Sequence, residues 1–289
     1  MALQAETLGA DTLERVVMKL GFTEQPAPTL AGLQAIYGAW CRRVPFDNVQ
    51  KMVHLHEGRP GPLAGDDAES FFHNWLADGT GGTCWAGNGA LHALLVTLGF
   101  AAVRGIGTML TSPDVPPNHG TVLVDLDEAR YVVDASILHG APLRLDEHAV
   151  TKVVQPAWGV TCEQRDGRWH IHWRPLHRPE GIDCRIDQLQ ATRAAFHEAH
   201  ERTRAWSPFN YQLSARLLRD DAVVGAAFGQ RVTLNGTGGV DQAPLADADR
   251  IELLIEGLGM SEAIARRLPP ERPTPPPPGS RTVLEQADL

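Results

Sequence analysis

Three residues of this chain could together do nucleophilic chemistry: Cys84, His119 and Asp134. Cys84 ends the run Gly79-Thr80-Gly81-Gly82-Thr83-Cys84, a glycine-rich turn that leads directly into a helical pattern. Leu91, Leu94, Leu95 and Leu98 share one face of that helix, and Gly99 closes it. A thiol attacks only as thiolate, and a helix N-terminus favours that anion through its partial positive charge. Gly81 and Gly82 allow a close backbone approach to a substrate and leave N–H groups for an oxyanion. Taken alone, such a cysteine also fits a buried structural thiol. The residues downstream shift that balance. His119 opens the apolar run Gly120-Thr121-Val122-Leu123-Val124, and Asp134 lies in the returning run Tyr131-Val132-Val133-Asp134-Ala135. A carboxylate inside a valine-rich strand is costly unless a partner holds it. Hairpin pairing predicts Asp134 beside His119, where it would fix the imidazole tautomer and stabilise its protonated form. The result is a base beside a nucleophile and an orienting carboxylate beside the base.

The elements that must position these residues change period along the chain. Leu13, Val16, Val17 and Leu20 predict a helix over 11–20 with Gly21 as its stop. Thr29 predicts the cap of a second helix carrying Leu33, Ile36, Tyr37 and Trp40. His54 to Gly65 reads as a loop, and Phe71, Phe72, Trp75 and Leu76 as a further helix. From Ala101 the period becomes two, which predicts strands over 101–110, 119–126, 130–137, 157–165 and 168–175. Asp127-Glu128 and Asp166-Gly167 supply two hairpin turns. Sequential antiparallel strands of this kind imply a small barrel or sandwich. Residues 185–205 read as helical. Strands near 222–228 and 231–235 and helices near 246–257 and 261–268 follow, and Pro269 to Pro278 predicts an extended, solvated polyproline tail. The chain thus divides into 1–99, 100–205, 206–268 and a tail at 269–289.

Composition sets the outer limits. With 289 residues and 43% hydrophobic content there is ample material for a core, and four cysteines are too few for a disulfide scaffold. A net charge of −9 argues against a nucleic-acid binder, which must neutralise phosphates. No apolar run approaches the roughly 20 residues needed to cross a bilayer. The start Met1-Ala2-Leu3-Gln4-Ala5-Glu6 lacks the basic and apolar regions of a signal peptide, so a cytoplasmic, reducing setting with free thiols is expected.

Several segments together resemble the arylamine N-acetyltransferase family. Val44-Pro45-Phe46-Asp47-Asn48 is similar to its "(I/V)PFEN" segment, and Gly81-Gly82-Thr83-Cys84-Trp85-Ala86-Gly87-Asn88 to its "RGGxCxExN" motif. His119 with Val122-Leu123-Val124, then Val133-Asp134, resemble its histidine and aspartate strands. Ser207-Pro208-Phe209 and Arg231-Val232-Thr233-Leu234 resemble its "SPF" and "RVTL" segments. The resemblance implies an α+β fold in three parts: an N-terminal helical bundle, a central antiparallel β-barrel and a C-terminal α/β lid. It also implies a ping-pong N-acyltransferase. Cys84 would take an acyl group from acetyl-CoA or another acyl thioester and pass it to a small-molecule amine, with His119 as base and Asp134 orienting it. No cofactor is held permanently in this reading, and backbone N–H groups near Cys84 and Trp85 are candidate oxyanion donors. Phe46, Trp85, Ser136 and Phe209 are weaker candidates for an acyl pocket, each equally readable as packing. Thr237 and Gly238 would lie near the pantetheine of coenzyme A, in a stretch otherwise readable as a hairpin or lid loop.

Three departures qualify the match. Thr80 stands where the family has arginine, Ala86 where it has glutamate, and Ala135-Ser136-Ile137 where it has "VGF". If the first two normally pair as ions, losing both leaves no orphaned charge. The altered surroundings keep two alternatives open. One is an amide or macrolactam synthase fed by an acyl carrier protein, and the other is a catalytically silent homologue that acts by binding. His54-x-His56 and His170-x-His172 have strand-face spacing but form no closed ligand set, so no metal is expected.

Overall fold

A computed structural model describes residues 6–112, 115–155, 157 and 159–278. The N-terminal part contains α1 (Ala10–Lys19), α2 (Leu30–Arg43), α3 (Val49–His56), α4 (Ala68–Asp78) and α5 (Cys84–Thr97). Local chemistry sets their ends. Thr29 caps α2 by accepting from Gly32 N, Asp67 caps α4 by accepting from Ser70 N, and Gly79 stops α4 with φ of 71°. Unlike its neighbours, α5 is apolar on nearly every face, and Cys84 to Asn88 and Ala90 to Leu95 are all buried. A helix of that kind must run through a core. The helix packs against α4 on one side and the first barrel strands on another.

Eight antiparallel strands follow: β2 (Ala101–Met109), β3 (His119–Leu126), β4 (Ala129–Val133), β5 (Leu143–Leu145), β6 (Thr151–Val153), β7 (Val160–Arg165), β8 (Arg168–Trp173) and β9 (Ile182–Ala191). Their order is β5-β4-β3-β2-β9-β8-β7-β6, and β5 and β6 at its ends lie side by side, so the sheet nearly closes into a barrel. Positive φ at Asp127 (47°) and Glu128 (61°), and at Asp166 (51°) and Gly167 (72°), gives the two hairpins the primed turns that match strand twist. Next come α6 (Arg193–Arg202), β10 (Ser214–Arg219), β11 (Ala222–Ala227), β12 (Gln230–Leu234), β13 (Val240–Pro244), α7 (Asp247–Glu252) and α8 (Glu262–Ala265). A two-residue strand from the N-terminal part, β1 (Phe46–Asp47), forms the edge of the sheet β1-β10-β11-β12-β13. The architecture is α+β in three parts: helical bundle, barrel and a C-terminal sheet with helices.

The structure corrects four readings. Residues 185–191 are strand rather than helix, because Ile182, Cys184 and Ile186 alternate inward and β9 is paired by both β2 and β8. The helix begins only at Arg193, where Thr192 accepts from Ala195 N. His54 to His56 complete α3, so the loop starts after them. β4 ends at Val133, which places Asp134 in the turn beyond the strand rather than inside it. Finally, residues 269–278 are extended but not free in solvent. Leu213 N donates to Glu271, Arg272 N to the Tyr211 carbonyl, and Trp206 Nε1 to the Pro275 carbonyl. Residues 1–5, 113, 114, 156, 158 and 279–289 lie outside the described residues, and with them most of the N-terminal start, part of the strand read over 157–165 and the end of the tail.

Candidate active site

Cys84 is the first residue of α5 and is 7% exposed. Gly87 N makes the first intrahelical bond, to the Thr83 carbonyl, so the N–H groups of Cys84, Trp85 and Ala86 have no acceptor within the helix. The loop before it is held from outside. Asp47 accepts from Gly81 N at 2.6 Å and from Val49 N at 2.9 Å, and its own N–H donates to the Gly82 carbonyl. A Cβ on Gly81 would fall 1.8 Å from the Pro45 carbonyl oxygen, so the close approach requires glycine. Burial pushes the Asp47 carboxyl up to about 7 against the pull of those two amide donors.

His119 and Asp134 meet in the barrel wall facing α5. In the β3–β4 register Val122 opposes Val133, and Asp134 follows in the turn at the end of the sheet where β3 begins with His119. His119 Nε2 is 2.7 Å from Asp134 Oδ2, with both side chains almost fully buried. Burial alone would lower the His119 pKa, but the charge and hydrogen bond of Asp134, with the Cys84 sulfur also beside the ring, push it up to about 10. Burial likewise opposes ionisation of Asp134. His119 and the Ile137 N–H outweigh it and hold the carboxyl well below its ordinary range. Cys84 Sγ lies 3.8 Å from the carbonyl of Asn118, the residue preceding the histidine. A thiol, an imidazolium and a carboxylate in this order can form and hold a thiolate.

Asn88 binds these parts together. Its amide donates to the Gly120 carbonyl at 2.6 Å and accepts from Ala135 N at 2.9 Å, which joins α5 to the histidine strand and the aspartate turn. Asp134 Oδ1 also accepts from Ser136 N and Ile137 N, and Tyr37 Oη donates to the Asp134 carbonyl at 2.9 Å. Replacing Asn88 by alanine orphans a buried carbonyl and a buried N–H, so a loss of about 2–3 kcal/mol in urea unfolding is expected. A loss under about 0.5 kcal/mol, the range of neutral surface changes, would show that this bracket is not what holds the site.

The weaker candidates fall in three places. Phe46 and Phe209 meet edge to face at 5.5 Å, and Phe209 stacks on Phe228 at 6.1 Å. Trp85 packs against Phe196 at 5.2 Å in a cluster with Cys84, Ile106 and Ala199. Ser136 is 2% exposed and its carbonyl accepts from Arg216. Thr237 and Gly238 belong to the exposed β12–β13 hairpin, where Thr237 bonds to Asn235 and the Gly238 carbonyl accepts from Arg174. Thr80 is buried beside Gln50, and Ala86 packs against Gly65 and Gly82. His170 and His172 face Asp183, and among the described residues no group of three or more His, Cys, Asp or Glu could hold a metal. Likewise, no described helix is long and apolar enough to cross a membrane.

Two cations at the site escaped the sequence reading. Lys51 on α3 is 4% exposed, and its Nζ donates to Thr203 Oγ1 at 2.8 Å. Burial pushes its ammonium down to about 7, opposed chiefly by the charge of Cys84. Arg216 on β10 is also buried. Its Nε donates to the Ser136 carbonyl at 2.8 Å, and its guanidinium lies 4.0 Å over the Phe46 ring and 5.0 Å from that of Trp173. Burial lowers its pKa to about 9, opposed by Asp134 and then Cys84. The available signal was a lysine among the apolar positions of Val49, Met52 and Val53, and an arginine in the run Leu213 to Leu218.

The chain that places a thiol at a helix N-terminus and a buried His–Asp pair in a barrel wall is similar in sequence and fold to known proteins. A family model described as N-acetyltransferase matches residues 29–176, and the chain belongs to that family. An arylamine N-acetyltransferase of Mycolicibacterium smegmatis is 28% identical over 176 residues, 55% of this chain. The chain spans 61% of the length of that curated relative. Among solved structures, the Mycobacterium abscessus arylamine N-acetyltransferase matches with a TM-score of 0.75 and 18% identity, covering 89% of this chain and 93% of that one. The Salmonella typhimurium enzyme gives 0.73 and 18%, covering 90% and 98%. The Mycobacterium marinum enzyme in complex with CoA gives 0.74 and 19%, covering 89% and 98%. These likenesses establish the three-part fold.

Proposed function

We propose that the chain transfers an acyl group from a thioester to a small-molecule amine through an acyl-Cys84 intermediate. The buried His119–Asp134 pair beside Cys84 carries this reading. With Nε2 engaged by Asp134, Nδ1 is the ring nitrogen left to take the thiol proton. The thiolate then attacks the thioester carbonyl and the donor thiol leaves with that proton. In the second half-reaction the amine attacks the acyl-cysteine, His119 removes its proton, and the Cys84 thiol is regenerated. N–H groups in the first turn of α5 are suited to stabilise both oxyanions. The complex of the Mycobacterium marinum relative with CoA supports a coenzyme A thioester as donor. Intact-protein mass spectrometry after incubation with acetyl-CoA tests the reading. The expected result is the gain of one acetyl group, mapped to Cys84 and discharged by an arylamine. Labelling only by carrier-protein-bound acyl chains would favour the synthase alternative, and no labelling by any thioester would favour a silent homologue.

A further inference from the structure

Phe228 stands on a backbone that disfavours it. Among the described residues four hairpins turn in two residues, and the first turn residue is left-handed in each: Asp127 (φ 47°), Asp166 (51°), Asp220 (49°) and Phe228 (50°). Aspartate tolerates that conformation through its short polar side chain, and a bulky ring does not. Leu138, the other apolar residue held there (58°), is fully buried in the core, which accounts for it. Phe228 is half-buried and lies outside the hydrophobic cores of the described residues. Its turn is fixed from outside. Phe228 N donates to the Leu213 carbonyl at 3.0 Å, and Leu245 N donates to the Gly229 carbonyl at 2.9 Å. Strain that the surroundings impose, and that no core repays, marks a residue kept for its function.

What the ring gains is a place in a row that starts at the nucleophile turn. Phe46 bridges to Gly82, two residues before Cys84, and meets Phe209 at 5.5 Å. Phe209 stacks on Phe228 at 6.1 Å with 18° between the planes, and His177 meets Phe228 edge-on at 5.4 Å. Exposure rises outward along the row. Phe46 is buried, Phe209 and Phe228 are half-buried, and His177 is exposed. Phe228 therefore lies one ring farther from Cys84 than Phe209, a position suited to a group beyond the amine-bearing ring of an acceptor. A ring face there favours a flat aromatic partner over a saturated one of the same size. We propose that Phe228 determines acceptor specificity, selecting amines that carry a second aromatic ring beyond the one that bears the amine. This rests on the acyl-transfer reading and names its acceptor class.

The test discharges acetyl-Cys84 of the full chain with 4-aminobiphenyl or with 4-cyclohexylaniline, which has the same outline but a saturated second ring. The two amines differ in basicity, so the quantity read is the change in their rate ratio between proteins. Phe228→Gly and Phe228→Asn both suit the left-handed turn. Each should lower the biphenyl-to-cyclohexyl ratio about threefold to tenfold, the worth of one aromatic pair. Phe228→Tyr should keep the wild-type ratio. Urea midpoints of the glycine and asparagine variants should be no lower than that of the wild type, because the strain is relieved. An unchanged ratio in both variants, whether or not the midpoint falls, would overturn the proposal and leave the ring a packing element. A shift confined to the ratio of labelling by acetyl-CoA over acetyl-N-acetylcysteamine, which lacks the adenine, would place the ring in the donor's service and overturn the acceptor assignment. Both outcomes leave acyl transfer standing. Failure of every thioester to label Cys84 would remove the acyl-transfer reading and this one with it.

Discussion

Cys84→Ala is expected to abolish acyl-enzyme formation from every thioester while leaving the protein folded. The sulfur is the atom that would form the new bond, and no neighbour can substitute for it. Burial pushes Cys41 and Cys162 up to about 12 and raises Cys184 well above the ordinary thiol value, so the remaining thiols are poor nucleophiles. The structural cost is small. Alanine keeps the helical conformation at the start of α5 and removes one polarisable atom, so a loss of about 1 kcal/mol is expected. His119→Ala should lose nearly as much activity, because residues acting as a unit are strongly non-additive. Mass spectrometry reads the acyl adduct and thermal unfolding reads the fold. Amide formation that persists in Cys84→Ala would refute the covalent mechanism.

The three residues on which that expectation rests were legible because their geometry is local. A glycine turn followed by an apolar helix places Cys84 at a helix start, and a hairpin with a primed turn brings two sequence-near strands together. Asn88 was visible as a polar residue inside an apolar helix, but its partners at Gly120 and Ala135 were not. Lys51 and Arg216 owe their burial to contacts 152 and 80 residues away, with Thr203 and Ser136, and no window of sequence contains both ends. β1 was hidden for a related reason. Two residues carry no period, and only β10 makes them a strand. The misread stretch 185–191 has polar residues at Gln188 and Gln190 that suit either structure, and its pairing with β2 and β8 decided the outcome.

Asp134→Asn is expected to cost both activity and stability, with opposite information in the two losses. Asparagine keeps the shape of the turn but carries no charge to hold an imidazolium. Loss of the corresponding carboxylate in a triad reduces turnover by about 10,000-fold, and a decrease of that order in acyl-Cys84 formation is the first outcome. The second is a destabilisation of about 3–5 kcal/mol, the usual result of breaking a buried ion pair by removing one partner. The pH dependence separates this pair from simple packing. His119, raised from 6.5 to about 10, contributes stability that is fully present below about pH 6.5 and is lost as pH rises through about 10. Asp134, whose pKa is lowered, contributes stability present above the ordinary carboxylate range and lost as pH falls. The wild-type protein should therefore lose stability between about pH 6.5 and pH 10, and Asp134→Asn should flatten that slope. Urea midpoints measured across this window in both proteins decide the matter. Parallel slopes would mean that the 2.7 Å contact does not store the charge assigned to it, and the imidazole would then have to act as a neutral base.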